Sequence, residues 1–183
     1  MGMNTEFIEA KEKIREVVDF PRPGIRYKDI TPILRDGRLF SRLVDRLVKQ
    51  FYERRVDYIV SPESRGFILG SAMALKLGAG FVPVRRKSKL PFKTVKIDYN
   101  SGYVDSSRGD NTLYMHEDAF VSGSRILIVD DILSTGETIN ACRVLSETIG
   151  GNVVGAAVMV DLNSKMDRSK TLNGLSVTSC INF

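Results

Sequence analysis

Cysteine is scarce in this chain. Only Cys142 and Cys180 occur among 183 residues, too few for a disulfide framework, which points to a reducing, cytoplasmic setting. Histidine is scarcer still. His116 stands alone, and without a paired-cysteine motif no dedicated His/Cys metal site is expected. No apolar run approaches the ~18 residues needed to span a bilayer, so no membrane partner is expected. The first twenty residues carry Glu6, Glu9, Glu12 and Glu16. That acidity speaks against a secretory signal or a transit peptide. Internal repeats and low-complexity tracts are also missing.

What is present is an ordinary globular composition, 43% apolar and 27% charged, long enough to bury a full core as a single domain over 1–183. The net charge is +5 and the pI about 9.3, which favours anionic partners. Much of the excess sits in one block, Arg85-Arg86-Lys87-Ser88-Lys89, followed by Lys93 and Lys96. A nucleic-acid reader would add stacking aromatics or a basic recognition helix. Neither stands out, so small phosphorylated ligands are favoured and nucleic acid is not expected.

Helical spacing of Phe7, Ile8, Ile14, Val17 and Val18 predicts an amphipathic helix over 5–18, stopped by Pro21, Pro23 and Gly24. A second helix is expected over 38–54 and a small-residue helix over 66–77. Strands are expected at 58–60, 80–84, 113–115, 125–129, 153–160 and 175–177, with a helix at 139–149. Alternating strands and helices predict an α/β fold with a mainly parallel sheet. Residues 86–111 show almost no apolar periodicity. An irregular stretch of that length within a compact domain reads as a functional lid or a disordered segment.

Residues 126–138 (ILIVDDILSTGET) carry the chemistry. A buried parallel strand runs into Asp130 and Asp131, a small hydroxyl-and-glycine loop follows, and a helix begins. In open α/β sheets ligands sit beyond the carboxyl ends of the strands. A helix N-terminus offers free N–H groups and partial positive charge, and Ser134, Thr135 and Thr138 can add hydroxyl donors. That makes a cradle for one phosphate. The adjacent acids would repel it unless they face hydroxyls or a cation, so the segment reads as a ribose-phosphate site. The bland alternative is a β–loop–helix with Ser134 or Thr135 as an N-cap, but two acids at the end of an apolar strand are costly to bury without purpose. Neither a Walker loop nor a dinucleotide-binding glycine turn is present.

From Val129 to Thr138 the sequence resembles the phosphoribosyl pyrophosphate (PRPP) motif of type I phosphoribosyltransferases. Residues 20–32 (FPRPGIRYKDITP) resemble the hood of adenine phosphoribosyltransferases, Glu63-Ser64-Arg65-Gly66-Phe67 a segment typical of them, and 85–91 their basic stretch. Residues 110–119 resemble the segment leading to the PRPP strand. The resemblance implies a type I phosphoribosyltransferase fold, with residues 1–34 as N-terminal helix and hood and 86–111 as a flexible lid. It implies purine salvage, in which PRPP and adenine give AMP and pyrophosphate, with Mg2+ carried mainly by PRPP or pyrophosphate. A homodimer is expected. By the same resemblance Asp130 and Asp131 are catalytic, and they bind PRPP together with Arg65, Arg85, Lys89, Ser134, Thr135, Gly136, Glu137 and Thr138. Ile25, Arg26, Tyr27 and Arg65 meet the base.

Two departures stand out. Arg26 occupies a position more often aliphatic in the family. The loop 99–109 (YNSGYVDSSRG) also lacks the usual Glu-Tyr pair. Aligned on the first tyrosine, Tyr103 is the catalytic match and Gly102 takes the Glu position. Aligned on the glycine, Ser107-Arg108 stands there. Asp105 is a candidate substitute acid. Arg26 and the altered loop keep an oxopurine open as the substrate, and the basic pI keeps open a PRPP-sensing regulator that binds nucleic acid.

Overall fold

The computed structural model describes residues 5–99 and 111–183. The chain divides into two compact units, 1–46 and 47–183.

In the first unit, α1 spans Thr5–Lys13, β1 Arg15–Val18, β2 Arg26–Asp29 and α2 Thr31–Arg35, and α3 (Gly37–Lys49) starts there. The helix expected over 5–18 therefore ends early. Glu16, Val17 and Val18 instead pair antiparallel with Lys28, Tyr27 and Arg26, so two β-branched residues that fit a helical stripe serve a hairpin. Asp19 steadies the turn by accepting the Gly24 N–H at 2.7 Å. Asp36 accepts the Leu39 N–H at 3.0 Å, satisfying an otherwise orphaned donor in the first turn of α3. Lys13 reaches the same carboxylate.

The second unit is built on five parallel strands: β3 (Tyr58–Pro62), β4 (Gly80–Val84), β7 (Arg125–Leu133), β8 (Asn152–Asp161) and β9 (Val177–Asn182), in the order β4-β3-β7-β8-β9. Helix α4 (Gly66–Leu77) joins β3 to β4, and α5 (Glu137–Thr148) joins β7 to β8. Short α6 (Ser169–Leu172) precedes β9. Val60, Ile128, Ala156 and Val158 from the sheet and Ile139, Cys142 and Leu145 from α5 share one buried core cluster. The near-continuous apolar run of β7 is what burial on both faces requires.

Residues 86–111 are not irregular throughout. β5 (Thr94–Asp98) pairs antiparallel with β6 (Thr112–His116), and Arg85 bridges to Tyr114 beyond the end of β4. Only Val95 and Ile97 mark β5, too few apolar residues to stand out beside the basic run. The strand expected at 175–177 lies at 177–182.

Candidate active site

The ladder between β3 and β7 covers only Tyr58–Val60 and Ile126–Ile128. β7 continues against β8 as far as Leu133, opposite Asp161. Where β3 leaves β7, the buried Ser61 hydroxyl donates to the Val129 carbonyl at 2.7 Å. Gly70 makes room for this, since a Cβ there would collide with Ser61 Oγ. The acids Asp130 and Asp131 follow directly on the stretch of β7 that β3 has left. Both are buried.

The Asp131 backbone N–H donates to Asp130 Oδ1 at 2.8 Å. Burial first, and then the neighbouring Asp131 carboxylate, push the Asp130 carboxyl well above the ordinary carboxylate range. The backbone bond and the Arg65 charge oppose the shift. Arg65 Nε lies 2.9 Å from Asp131 Oδ2, yet that oxygen accepts no aligned hydrogen bond. The contact is a Coulombic ion pair. Gly66 makes room next to this pair, since a Cβ would stand 2.9 Å from Asp130 Oδ1 and force a shift.

Gly136, at φ +93°, turns the chain into α5 without a side-chain cap. The first amides of that helix have no intrahelical acceptor. Glu137 starts the helix and Thr138 follows, while Ser134 and Thr135 are half-buried in the loop before it. An acid pair in the part of β7 beyond its pairing with β3, a tight loop and an open helix N-terminus together suit a polyol bearing a phosphate.

A family model described as phosphoribosyl transferase domain matches residues 28–181. The adenine phosphoribosyltransferase of Thermotoga maritima is 45% identical over 174 residues, 95% of this chain and 97% of that protein. The chain belongs to the adenine phosphoribosyltransferase family. Among solved structures, the adenine phosphoribosyltransferase of Thermoanaerobacter pseudethanolicus is 42% identical with a TM-score of 0.88, covering 97% of this chain and 99% of that one. The Saccharomyces cerevisiae adenine phosphoribosyltransferase, complexed with an imino-altritol bisphosphate and adenine, is 34% identical with a TM-score of 0.84, covering 97% and 99%. The type I phosphoribosyltransferase fold expected from the sequence is the fold observed.

In this family member, Arg85 is held by an acid that sequence reasoning passed over. Glu63 accepts Arg85 Nε at 2.8 Å and the Arg86 backbone N–H at 3.0 Å. Lys89 is exposed, and its carbonyl is 3.4 Å from Arg85 Nη1. In the first unit, Tyr27 is half-buried and packs edge-on against Phe20 at 5.1 Å, and Ile25 is half-buried. The guanidinium of Arg26 turns to Glu16, which Lys28 also meets at 2.6 Å. These two cations hold the Glu16 carboxyl down at about 2. Cys142 is a buried core thiol whose pKa burial raises. Tyr103, Asp105, Ser107 and Arg108 lie outside the described residues, as does all of 100–110.

Proposed function

We propose that this chain transfers the 5-phosphoribosyl group from PRPP to adenine, giving AMP and pyrophosphate, in purine salvage. The observation that carries this is the strand–acid–loop–helix unit from Val129 to Thr138, in a chain 45% identical to an adenine phosphoribosyltransferase over nearly its whole length. In this reading Asp130 and Asp131 take the ribose hydroxyls. The amides and hydroxyls at 134–138 take the 5′-phosphate. Arg65, Arg85 and Lys89 take the diphosphate. Their attraction grows as the leaving group gains charge, which is how they lower the barrier. Adenine N9 bonds to C1, the C1–O bond to pyrophosphate breaks with its electron pair, and the N9 proton passes to the departing pyrophosphate, directly or through water.

Ile25, Arg26 and Tyr27 recognise the base. The Arg26 side chain is engaged by Glu16 and its backbone lies in the hairpin opposite Val18. That removes one of the two motives for an oxopurine substrate, the altered loop being the other. Tyr103 is the candidate to contribute a phenol to the reaction. Magnesium arrives as part of the substrate, on the diphosphate. Among the described residues no three His, Cys, Asp or Glu converge to hold an ion themselves.

The proposal extends to a homodimer in the cytoplasm. Ile68 and Leu75, two turns apart on α4, are exposed, an apolar pair that a second copy would cover, and both cysteines are free thiols. Light scattering should then report twice the 20.4 kDa chain mass.

The deciding experiment supplies magnesium, PRPP and five purine bases to the purified protein and follows nucleotide formation. AMP from adenine should dominate. Preference for hypoxanthine or guanine, or no nucleotide from any base, would refute the proposal.

A further inference from the structure

Behind the loop that precedes α5 lies a second buried ion pair that no sequence motif marks. Asp161 ends β8, and Arg168 stands just before α6. Arg168 Nη1 and Nη2 donate to the two Asp161 carboxylate oxygens at 3.1 and 2.7 Å. Its remaining nitrogen, Nε, donates to the Ser134 carbonyl at 2.6 Å. Asp161 Oδ1 also accepts the Asn163 N–H at 3.0 Å. Both residues are less than a tenth exposed, so the cluster is largely shielded from solvent and every charged group in it has a partner.

The three bonds of Arg168 point one way. The planar guanidinium fixes direction as well as charge. With two donors locked on Asp161, the third is aimed at one backbone carbonyl in the loop between the acids and α5. Asp161 is itself anchored to that loop by the sheet: it lies opposite Leu133 in the β7–β8 register, and the next residue's N–H, that of Leu162, donates to the Leu133 carbonyl at 2.9 Å. Two residues beyond Ser134, a Cβ on Gly136 would stand 3.0 Å from Leu172 Cδ2 of α6. The Leu172 N–H is bonded to the Arg168 carbonyl at 2.8 Å. The loop is thus backed at Leu133, Ser134 and Gly136 by one stretch of chain, 161–172.

We propose that Arg168 and Asp161 are positioning residues for the reaction: they hold the 134–138 loop in the shape that receives the substrate's 5′-phosphate, without touching substrate. This rests on the ribose-phosphate reading above. If it holds, loss of the guanidinium fork should weaken ligands that carry the 5′-phosphate and leave the diphosphate subsite, built by Arg65, Arg85 and Lys89, unaffected.

The test uses Arg168→Lys, which keeps a cation beside Asp161 but loses the fork, and the charge-neutral double variant Asp161→Asn/Arg168→Gln. Ribose 5-phosphate and magnesium pyrophosphate are titrated separately into wild type and both variants by calorimetry. Ribose 5-phosphate affinity should fall about tenfold, the scale of one charge-assisted hydrogen bond, with pyrophosphate affinity unchanged. KM for PRPP should rise while KM for adenine holds. Unchanged ribose 5-phosphate binding, or equal loss of both ligands, overturns the proposal. So does failure of both variants to fold, since the pair would then support the domain and not the loop. A wild type that makes no nucleotide overturns the earlier reading instead.

Discussion

Glu63 and Arg85 face each other one residue beyond the paired ends of β3 and β4, with Arg85 Nε 2.8 Å from Glu63 Oε2. Parallel pairing of Pro62 with Val84 brings the two side chains level. The Glu63 N–H donates to the Val84 carbonyl at 2.9 Å, so the acid's own backbone is fixed before its carboxylate takes hold of the arginine. An arginine held this way is aimed before any ligand arrives.

Glu63→Gln should therefore weaken pyrophosphate binding without abolishing it. The pair is partly exposed, so its worth is about 1 kcal/mol, or about fivefold in affinity. Calorimetric titration of magnesium pyrophosphate into the variant checks this, with unchanged affinity for ribose 5-phosphate as the internal control.

Asp130 carries a stability consequence of opposite sign to its use. Its carboxyl pKa is raised in the folded state, chiefly by burial. Between the unfolded and folded pKa the native protein binds more protons than the unfolded chain, so stability falls as pH rises through that window. Asp130→Asn removes the buried charge and keeps an oxygen for the Asp131 N–H. It should melt at or above the wild-type temperature near neutral pH while turnover falls at least about tenfold, since the proposed role is on the ribose. Thermal melts across pH, alongside the AMP assay, test both halves.

Gly136→Ala should lose about 1–3 kcal/mol of stability in urea unfolding, because φ +93° is disfavoured for any residue with a Cβ. The added methyl would also press on Leu172. A side chain here damages the phosphate site from behind, by displacing the loop.

Glu16 offers a pH test within the first unit. Its carboxyl is held at about 2, with the Arg26 hydrogen bond the larger cause and Lys28 the next. A depressed acid stabilises the fold fully above its unfolded pKa and loses that contribution as pH falls through the folded value. Carboxyl-carbon NMR should therefore give a midpoint near 2 in wild type. The midpoint should return toward the reference of 4.5 in Arg26→Ala/Lys28→Ala.

Much of the sheet unit was legible because its periodicity and punctuation agree. Gly66–Leu77 emerges with the expected limits, and 125–133 only extends the expected strand. Asp130 and Asp131 were legible because two acids closing an apolar strand cost too much to bury unless a ligand meets them. Glu63 and Arg168 were not. Glu63 gains its role only when β3 and β4 lie side by side. Arg168 acts on Ser134, 34 residues away in sequence, and nothing in the spacing Asp161 to Arg168 marks a pair. β1 was hidden because Val17 and Val18 satisfy a helical stripe equally well. The decision fell to the partner strand, Arg26–Asp29, which local spacing does not reveal.

The parting of β3 from β7 after Val60 and Ile128 leaves a sheet with rungs missing from its middle, bridged by one serine hydroxyl at Val129. Most sheets meet their ligands at a finished rim. Here the parting lies beside the acids, and a sugar held by Asp130 and Asp131 would sit next to strands that the backbone leaves apart. Occupancy would then be felt as cohesion: amide protons along 61–63 and 129–133 should exchange with solvent more slowly once the ribose is in place.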